Sequence, residues 1–362
     1  MTENTESLQR TALFNEHVAN GGRMVPFAGW EMPVQYAGVI AEVRAVREAC
    51  GVFDVSHMGQ LDVFGSDVTH ALNRVISADW SEVAVGRVAY ALLLNEHGGI
   101  IDDIMGYCVN PDEWFIVANA SRADMDEAHF KANLPQLTFQ NRYRNQAMLA
   151  IQGPHSAQIL QKLTQTDLSQ VAWRDCLPAQ IDGANGLLAR GGYTGSDGFE
   201  FMFAGDDAPR VWRALLAAGA VPCGLGARDV LRLEAALPLY GHELRENWTP
   251  YESGCGWAVK MSKADFIGRA ALAEKHTPNS RIRALRMEGK AIPREGYPVI
   301  WGGVPVGEVT SGTMSPTAGG GIALAMLPAT LNVEDTVQVE IRGALHAAHI
   351  VKPPFVANGR KS

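Results

Sequence analysis

The sequence lacks long runs of basic residues and long apolar runs. Its 31 Lys and Arg are outnumbered by 39 Asp and Glu, giving a formal net charge of -8, which argues against an extended nucleic-acid surface. No apolar stretch reaches the length of a membrane span, and the N-terminal segment has no basic start followed by an apolar run. We therefore expect no nucleic-acid partner, no membrane and a cytoplasmic location.

Cysteine is also scarce, and no two cysteines form a C-x-x-C pair. This excludes a disulfide framework and zinc-finger spacing, and is typical of buried thiols in a reducing compartment. The H-x-x-H at His346 and His349 stands beside no carboxylate or cysteine cluster, which favours two ordinary strand or core histidines. We therefore expect no metal. The five cysteines are Cys50, Cys108, Cys176, Cys223 and Cys255.

Two groups of catalytic motif are missing from the sequence. Neither G-x-G-x-x-G nor G-x-x-x-x-G-K-[ST] occurs, so the phosphate-binding loops of nucleotide sites are not predicted. No serine or cysteine lies in a recognisable nucleophile elbow. The chemistry is therefore expected from other side chains.

The apolar content is sufficient for more than one core. The 362 residues are 47% hydrophobic and 19% charged, and this length favours two or three domains. Up to about residue 275, hairpin patterns alternate with amphipathic helices, which predicts an α+β fold. Beyond it, short alternating strands separated by Gly-Gly and proline turns predict a small β-barrel. We therefore divide the chain into residues 1–275 and 276–362.

Local patterns predict several elements of the first region. Apolar residues at helical spacing indicate helices, and alternating apolar residues indicate strands. The segment 24–33 is rich in proline and aromatic residues, which favours a loop. Side-chain caps are predicted from Ser66 with Asp67 and from Ser121 with Asp124. The expected helices span 5–20, 39–50, 66–76, 155–163 and 225–236, and the expected strands span 59–64, 88–94, 100–109, 114–118, 148–152, 186–189 and 199–203.

The segment 92–105 places two adjacent carboxylates on the return strand of a glycine-turned hairpin. Side chains alternate along a strand, so Asp102 and Asp103 point to opposite faces and do not share one surface. A carboxylate lining an apolar cleft has a raised proton affinity and can act as an acid or base near neutral pH. The alternative is an edge strand with a solvated acidic face, which this segment alone favours.

Two further residues carry charge where charge is unexpected. Glu200 interrupts an apolar strand, where an unpaired charge is costly. One interpretation is that Glu200 forms a structural ion pair or lies on a hydrated face. The other is that its carboxylate binds the N–H/NH2 edge of a heterocycle through two hydrogen bonds. Arg228 lies in the first turn of a predicted helix, where the dipole disfavours a cation and an anionic partner is expected. Asp229 or Glu234 is favoured over a ligand carboxylate.

These motifs, taken in order, resemble the T protein of the glycine cleavage system, the family of tetrahydrofolate-dependent aminomethyltransferases. Long blocks in register are more specific than any one motif. Two positions depart from the family pattern. Ser196 stands where an acid is expected, and the segment 315–321 matches the family sequence less closely. Both departures concern the rigidity of loops. The matching blocks are FAGWEMP at 27–33, GVFDVSHMG at 51–59, NEHGGIIDD at 95–103, YTGSDGFE at 193–200, residues 224–234 with 239–241, VTSGTMSPT at 309–317 and KPPFV at 352–356.

The resemblance implies a three-lobed cloverleaf. Two interleaved α+β lobes would bind folate in a central channel, and a C-terminal β-barrel would form the third lobe. The resemblance makes Asp103 the catalytic aspartate, a choice that strand alternation leaves open. Glu200 would bind the pterin edge and Arg228 the folate tail. Other family positions lining the channel correspond to Met58, Tyr90, Val117, Asn119, Tyr193 and Trp257.

The implied reaction transfers the methylene of an aminomethylated dihydrolipoyl carrier, the H protein of the glycine cleavage system, to tetrahydrofolate as co-substrate, with release of ammonia. A folate-dependent demethylase on the same scaffold is a close alternative, because it would keep the folate-binding residues. A non-catalytic folate-binding protein assisting iron–sulfur cluster assembly is a third. Its relatives carry a Lys-Gly-Cys-Tyr-x-Gly-Gln-Glu block, whereas residues 263–269 here contain no cysteine. That absence favours the transferase.

Overall fold

A computed structural model describes residues 8–143, 145–357 and 359. No helix within these ranges is both long enough and apolar enough to cross a membrane. Most of the helices are short. They are α1 (Phe14–Ala19), α2 (Val39–Glu48), α3 (Val68–Asn73), α4 (Ala123–Asn133), α5 (Ser156–Leu160), α6 (Ala208–Ala218), α7 (Leu225–Glu234) and α8 (Arg269–Glu274).

Strands make up most of the regular structure in the described ranges. They are β1 (Arg23–Phe27), β2 (Trp30–Gln35), β3 (Gly51–Asp54), β4 (Gly59–Phe64), β5 (Val88–Leu94), β6 (Ile100–Asn110), β7 (Glu113–Ala118), β8 (Thr138–Asn141), β9 (Gln146–Gln152), β10 (Cys176–Ile181), β11 (Ala184–Arg190), β12 (Gly198–Ala204), β13 (Val221–Pro222), β14 (Ser280–Met287), β15 (Pro298–Trp301), β16 (Val304–Ser315), β17 (Gly320–Pro328), β18 (Thr336–Ile341) and β19 (Ala344–Val351).

Two sheets are interleaved along the chain. β3 belongs to a six-stranded sheet of order β10-β11-β12-β9-β3-β13, but the chain first builds a separate five-stranded sheet of order β5-β6-β7-β4-β8 before it returns. Each sheet has its own apolar core, one around Trp212 and the other around Trp80 and Trp114. A third cluster contains Val117 from the five-stranded sheet and Met202 from the six-stranded sheet. The two sheets therefore share an apolar interface.

The last six strands close into a barrel of order β14-β17-β16-β15-β18-β19. Its interior is filled by alternate residues of the strands, such as Leu285, Val309, Ala325, Val339 and Ile350, as expected when one face of each strand points inward. The predicted α+β class with a C-terminal β-barrel is confirmed. The division of the chain at residue 275 stays a proposal.

Helix α7 joins the barrel to the rest of the molecule. Arg232 pairs with Glu243 at 3.0 Å and donates to Ser311 of β16 at 2.8 Å, and both members of the ion pair are buried. Two residues further along, Glu234 pairs with Arg47 of α2 at 2.8 Å. These contacts fix α7 between α2 and the barrel.

The meander predicted at 88–94, 100–109 and 114–118 is confirmed as β5, β6 and β7. The helix predicted over 225–236 is observed as α7, which ends two residues earlier. All five cysteines are buried free thiols, as predicted.

The N-terminal predictions are partly wrong. The proline-rich segment 24–33 is not a loop, because β1 and β2 form a hairpin turned at Ala28 and Gly29, both with positive φ (49° and 81°). An isolated two-stranded ribbon tolerates proline, since its outer edges bind no further strand. The helix predicted from residue 5 begins only at Phe14, because Gln9 bridges Trp30 instead; residues 5–7 lie outside the described ranges.

Neither predicted side-chain cap forms. Asp67 precedes α3 with a left-handed backbone (φ 60°) and makes no cap hydrogen bond, whereas a capping side chain needs a β-region backbone. α3 also ends at Asn73 rather than near 76, because the chain there turns to bridge β5, with Ile76 paired to Leu93. α4 begins after Arg122, also without a side-chain cap.

Candidate active site

The paired aspartates lie on β6, an interior strand between β5 and β7. Asp102 is fully buried, and Asp103 on the opposite face is half-buried. Asn119, directly after β7, donates its Nδ2 to Oδ1 of Asp102 at 2.8 Å and to Oδ1 of Asp103 at 2.7 Å. The alternative of an edge strand with a solvated acidic face is therefore wrong. The two residues alternate along β6, but the predicted separation of their side chains is incomplete, because one amide nitrogen binds an oxygen of each carboxylate.

Asp103 has the environment of an acid–base group. The Tyr90 hydroxyl donates to its Oδ2 at 3.1 Å, and Asn119 holds its Oδ1. Burial, with the neighbouring Asp102 charge adding to it, raises the pKa of Asp103 to about 7, although its two hydrogen bonds act in the opposite direction. Asp103 therefore changes its protonation state near neutral pH.

Two aromatic rings extend from Asp103 toward solvent. Tyr90 stacks on Trp257, with ring centroids 5.1 Å apart and an interplanar angle of 27°. Trp257 is 67% exposed. The stacked pair gives the half-buried carboxylate an apolar rim of the kind that binds planar heterocycles.

Glu200 and Arg228 form a second polar group. Glu200 on β12 is only 9% exposed, and the one hydrogen bond that its carboxylate receives among the described residues comes from the Tyr107 hydroxyl at 3.3 Å. Burial raises the pKa of Glu200, while the positive charge of Arg228 acts in the opposite direction. The Arg228 guanidinium lies over the Tyr193 ring at 4.9 Å, and its Nη1 is buried with no partner in the described part of the chain.

The internal partners predicted for Arg228 are wrong. Asp229 pairs with Arg232 at 2.8 Å, and Glu234 is held by Arg47. Both acids lie further along α7, where the helix turns them toward other partners. Arg228 is thus left with unused hydrogen-bonding capacity inside the molecule, which is costly unless a ligand uses it.

The loop before Glu200 is fixed by side-chain hydrogen bonds. Thr194 donates to Gln152 at 2.8 Å, and Ser196 accepts from Arg47 at 2.7 Å. The Tyr193 hydroxyl donates to the Pro238 carbonyl. Ser196, the departure from the family pattern, is therefore used in holding this loop.

The predicted site residues fall into three groups. Asp103, Asn119, Tyr90 and Trp257 form a contiguous set. Tyr193 lies under Arg228, and Glu200 lies within its electrostatic range. Met58 and Val117 belong to the apolar cluster between the two sheets. No cluster in the described ranges could hold a metal ion.

Three residues around the site were not predicted. Tyr107, the partner of Glu200, lies four residues after Asp103 on β6, so the period of two could have placed both on one face. His57 is buried with an unpartnered Nδ1, and burial lowers its pKa to about 4, with the Asp54 charge opposing and the Arg228 charge adding to the effect. Asp126 of α4 contacts Asp102, and no sequence pattern signals that contact.

Comparison with known proteins gives matches along nearly the whole chain. Residues 13–263 match the family model described as GCVT N-terminal domain, and residues 281–357 match the glycine cleavage T-protein C-terminal barrel domain. An aminomethyltransferase of Symbiobacterium thermophilum is 46% identical over 97% of this chain and 98% of that protein. One of Rubrobacter xylanophilus is 44% identical over 98% of this chain and 96% of that protein.

A solved structure shows the same fold. The crystal structure of glycine cleavage system aminomethyltransferase T from Bartonella henselae superimposes with a TM-score of 0.92. It is 30% identical in sequence, and the match covers 97% of this chain and 99% of that one. The likeness therefore extends over both interleaved sheets and the barrel.

Proposed function

The chain belongs to the glycine cleavage T-protein family, and from this premise we propose that Asp103, Glu200 and Arg228 carry its reaction. The activity is that of a tetrahydrofolate-dependent aminomethyltransferase. One observation supports the assignment above the others. Asp103 is a half-buried carboxylate, fixed by two donors, with its pKa near neutrality.

Tetrahydrofolate as co-substrate fits the groups left unpaired. The Glu200 carboxylate can accept the N–H/NH2 edge of the pterin, because it is buried and its one side-chain hydrogen bond within the described ranges comes from the Tyr107 hydroxyl. The unpartnered Nη1 of Arg228 can bind an anionic or carbonyl group of the folate tail. Tyr90, Trp257, Met58 and Val117 supply aromatic and apolar surface for the rest of the ligand.

The overall reaction moves a methylene carbon from the aminomethylated dihydrolipoyl arm of the carrier to tetrahydrofolate, giving 5,10-methylenetetrahydrofolate, ammonia and the free dithiol. In its charged form, Asp103 stabilises positive charge that develops beside it. At a pKa near 7 it can also accept a proton from a nitrogen and return it. Asn119 and Tyr90 fix the carboxylate, so that little reorganisation is needed during the reaction.

The carrier is the H protein of the glycine cleavage system in our proposal. Family membership supports this partner, and the open side of the site, marked by the exposed Trp257, offers access to a lipoyl arm. A cytoplasmic location stays a prediction from the sequence.

The test is product formation from an aminomethylated lipoyl carrier, with and without tetrahydrofolate. We expect ammonia and 5,10-methylenetetrahydrofolate to appear together and only when tetrahydrofolate is present. Tetrahydrofolate binding without either product would contradict the proposal.

A further inference from the structure

Asp126 is a buried acid that the proposed mechanism does not use. It lies on α4 and is 2% exposed. Neither of its oxygens receives a hydrogen bond from an N–H or hydroxyl donor in the described ranges. Its side chain instead contacts the carboxylate of Asp102. Two carboxylates can bond to one another only when one of them carries a proton.

The hydrogen bonds around the pair decide which acid holds that proton. Asp102 accepts from the Asn119 backbone N–H at 3.1 Å and from its Nδ2 at 2.8 Å. Two such donors favour the charged form of a carboxylate. Asp126 has no such donor, and so its neutral form is favoured by its burial.

The remaining surroundings of Asp126 are mixed. It lines one small cavity with apolar side chains such as Ile116 and Phe130, and with the polar side chains of Gln60, Glu127, Asn141 and Tyr143. The Gln60 amide is buried and has no partner in the described ranges. Arg122 is the charged group of opposite sign that acts on Asp126. Its Nη2 donates to Glu246 at 2.7 Å and its guanidinium lies over the Tyr240 ring, while its Nε has no partner in the described ranges and makes no hydrogen bond to Asp126. The other titratable groups acting on this pair are Asp103 and Tyr240.

We propose that Asp126 is a neutral carboxylic acid at physiological pH and donates a hydrogen bond to Asp102, which makes it a positioning residue for the reaction. Asp102 then holds the Asn119 amide, and the same Nδ2 fixes Asp103. The inference rests on the proposed role of Asp103. The pKa of Asp126 agrees with it, since burial and the Asp102 charge raise that pKa to about 11.

The first test compares two substitutions that differ in one property. Asp126→Asn keeps the size and a donor to Asp102, whereas Asp126→Leu keeps the approximate volume and removes the donor. We expect Asp126→Asn to stay within about threefold of the original kcat and Asp126→Leu to lose about tenfold or more, with KM for tetrahydrofolate little changed in both. Asp124→Leu on the exposed side of the same helix is the matched control.

Either of two results would overturn the inference. If Asp126→Asn is as slow as Asp126→Leu, Asp126 acts through its charge or through proton transfer, and not as a neutral donor. If Asp126→Leu keeps the original kcat, the contact with Asp102 does not position the site.

The second test does not depend on activity. Infrared spectra of the unmodified protein and of Asp126→Asn are recorded at about pH 9 and subtracted. The difference should show the C=O band of one protonated carboxyl that is present in the unmodified protein and absent from Asp126→Asn. A missing band overturns the inference, even where Asp126→Leu fails to fold. An inactive unmodified enzyme would instead count against the proposed function and leave the infrared result standing.

Discussion

The side-chain amide of Asn119 donates to Oδ1 of Asp103 at 2.7 Å from the position directly after β7. An amide held at the end of a strand has little freedom, so it fixes one carboxylate oxygen in direction as well as distance. The Tyr90 hydroxyl fixes the other. The carboxylate is thus oriented before any ligand enters, which lowers the reorganisation required during a reaction.

Replacing Asp103 separates binding from turnover. Asp103→Asn keeps the size and hydrogen-bonding shape of the side chain but removes its charge and its basicity. We expect the Kd for tetrahydrofolate to stay near its original value and kcat to fall by at least about a hundredfold. Titration with tetrahydrofolate and the product assay measure the two quantities. The exposed Asp206→Asn serves as control, and turnover near the original rate in Asp103→Asn would sink the assignment.

The activity should depend on pH through Asp103. Its pKa is raised to about 7 by burial and by Asp102, so the fraction of charged carboxylate falls as the pH drops through that value. Since the charged form stabilises positive charge, kcat/KM, which reports the ligand-free enzyme, should decline on the acid side with a midpoint near that pKa. Cys255, Tyr193 and Tyr90 also lie near Asp103, and burial raises the pKa of each above the neutral range.

The same profile recorded for Asp103→Asn provides the check. Its residual rate should lose the acid-side decline, because the titrating group is gone. If the decline persists unchanged, another group is responsible for it.

Glu200→Gln should weaken folate binding. The amide keeps one acceptor oxygen but no longer accepts two N–H groups or offsets the positive charge of Arg228. We expect the Kd for tetrahydrofolate to rise by about tenfold or more, which corresponds to one charge-assisted hydrogen bond. Glu48→Gln at the exposed end of α2 is the matched control. An unchanged Kd would remove Glu200 from the binding site.

The ion pair between α7 and the residues before the barrel should be important for stability. Glu243→Ala removes the buried carboxylate of Arg232 and leaves the half-exposed Asp229 as its remaining ionic partner, a change that costs about 3 kcal/mol in the free energy of unfolding. The exposed pair of Arg245 and Glu308 offers a control, since Glu308→Ala should cost at most about 1 kcal/mol. Urea unfolding monitored by fluorescence measures both, and equal losses would contradict the expectation.

Sequence patterns predicted the regular parts of the fold. Strands β5 and β7 of the meander are short apolar runs bounded by turn residues, and barrel strand β18 alternates between buried and exposed residues, so both patterns are readable from the sequence. The β1–β2 hairpin was not predicted, because its prolines suggested a loop, whereas an isolated two-stranded ribbon accommodates them. The caps at Asp67 and Ser121 failed because backbone conformation, which residue type alone does not set, decides whether a side chain reaches the helix.

The site was predicted less completely, for a physical reason. Strand alternation separated Asp102 from Asp103 but could not say which faces the ligand, because both faces of an interior strand are covered. The contact of Asp126 with Asp102 joins α4 to β6, and such a contact depends on tertiary packing. The position of Arg228 in the first turn of α7 correctly indicated a cation that needs a partner. The two acids expected to pair with it, Asp229 and Glu234, pair with other arginines.

The interleaving of the two sheets affects the order in which the molecule can assemble during synthesis. β3 leaves the ribosome early, but its neighbours β9 and β13 follow only after β4 to β8 have all been made. The sheet that carries Asp103 can therefore close on itself while β3 is still unpaired. Glu200 and Arg228 arrive later, on β12 and α7. Translation thus makes the aspartate half of the site first, and the long-range pairing of β3 is a slow step that the nascent chain must wait for.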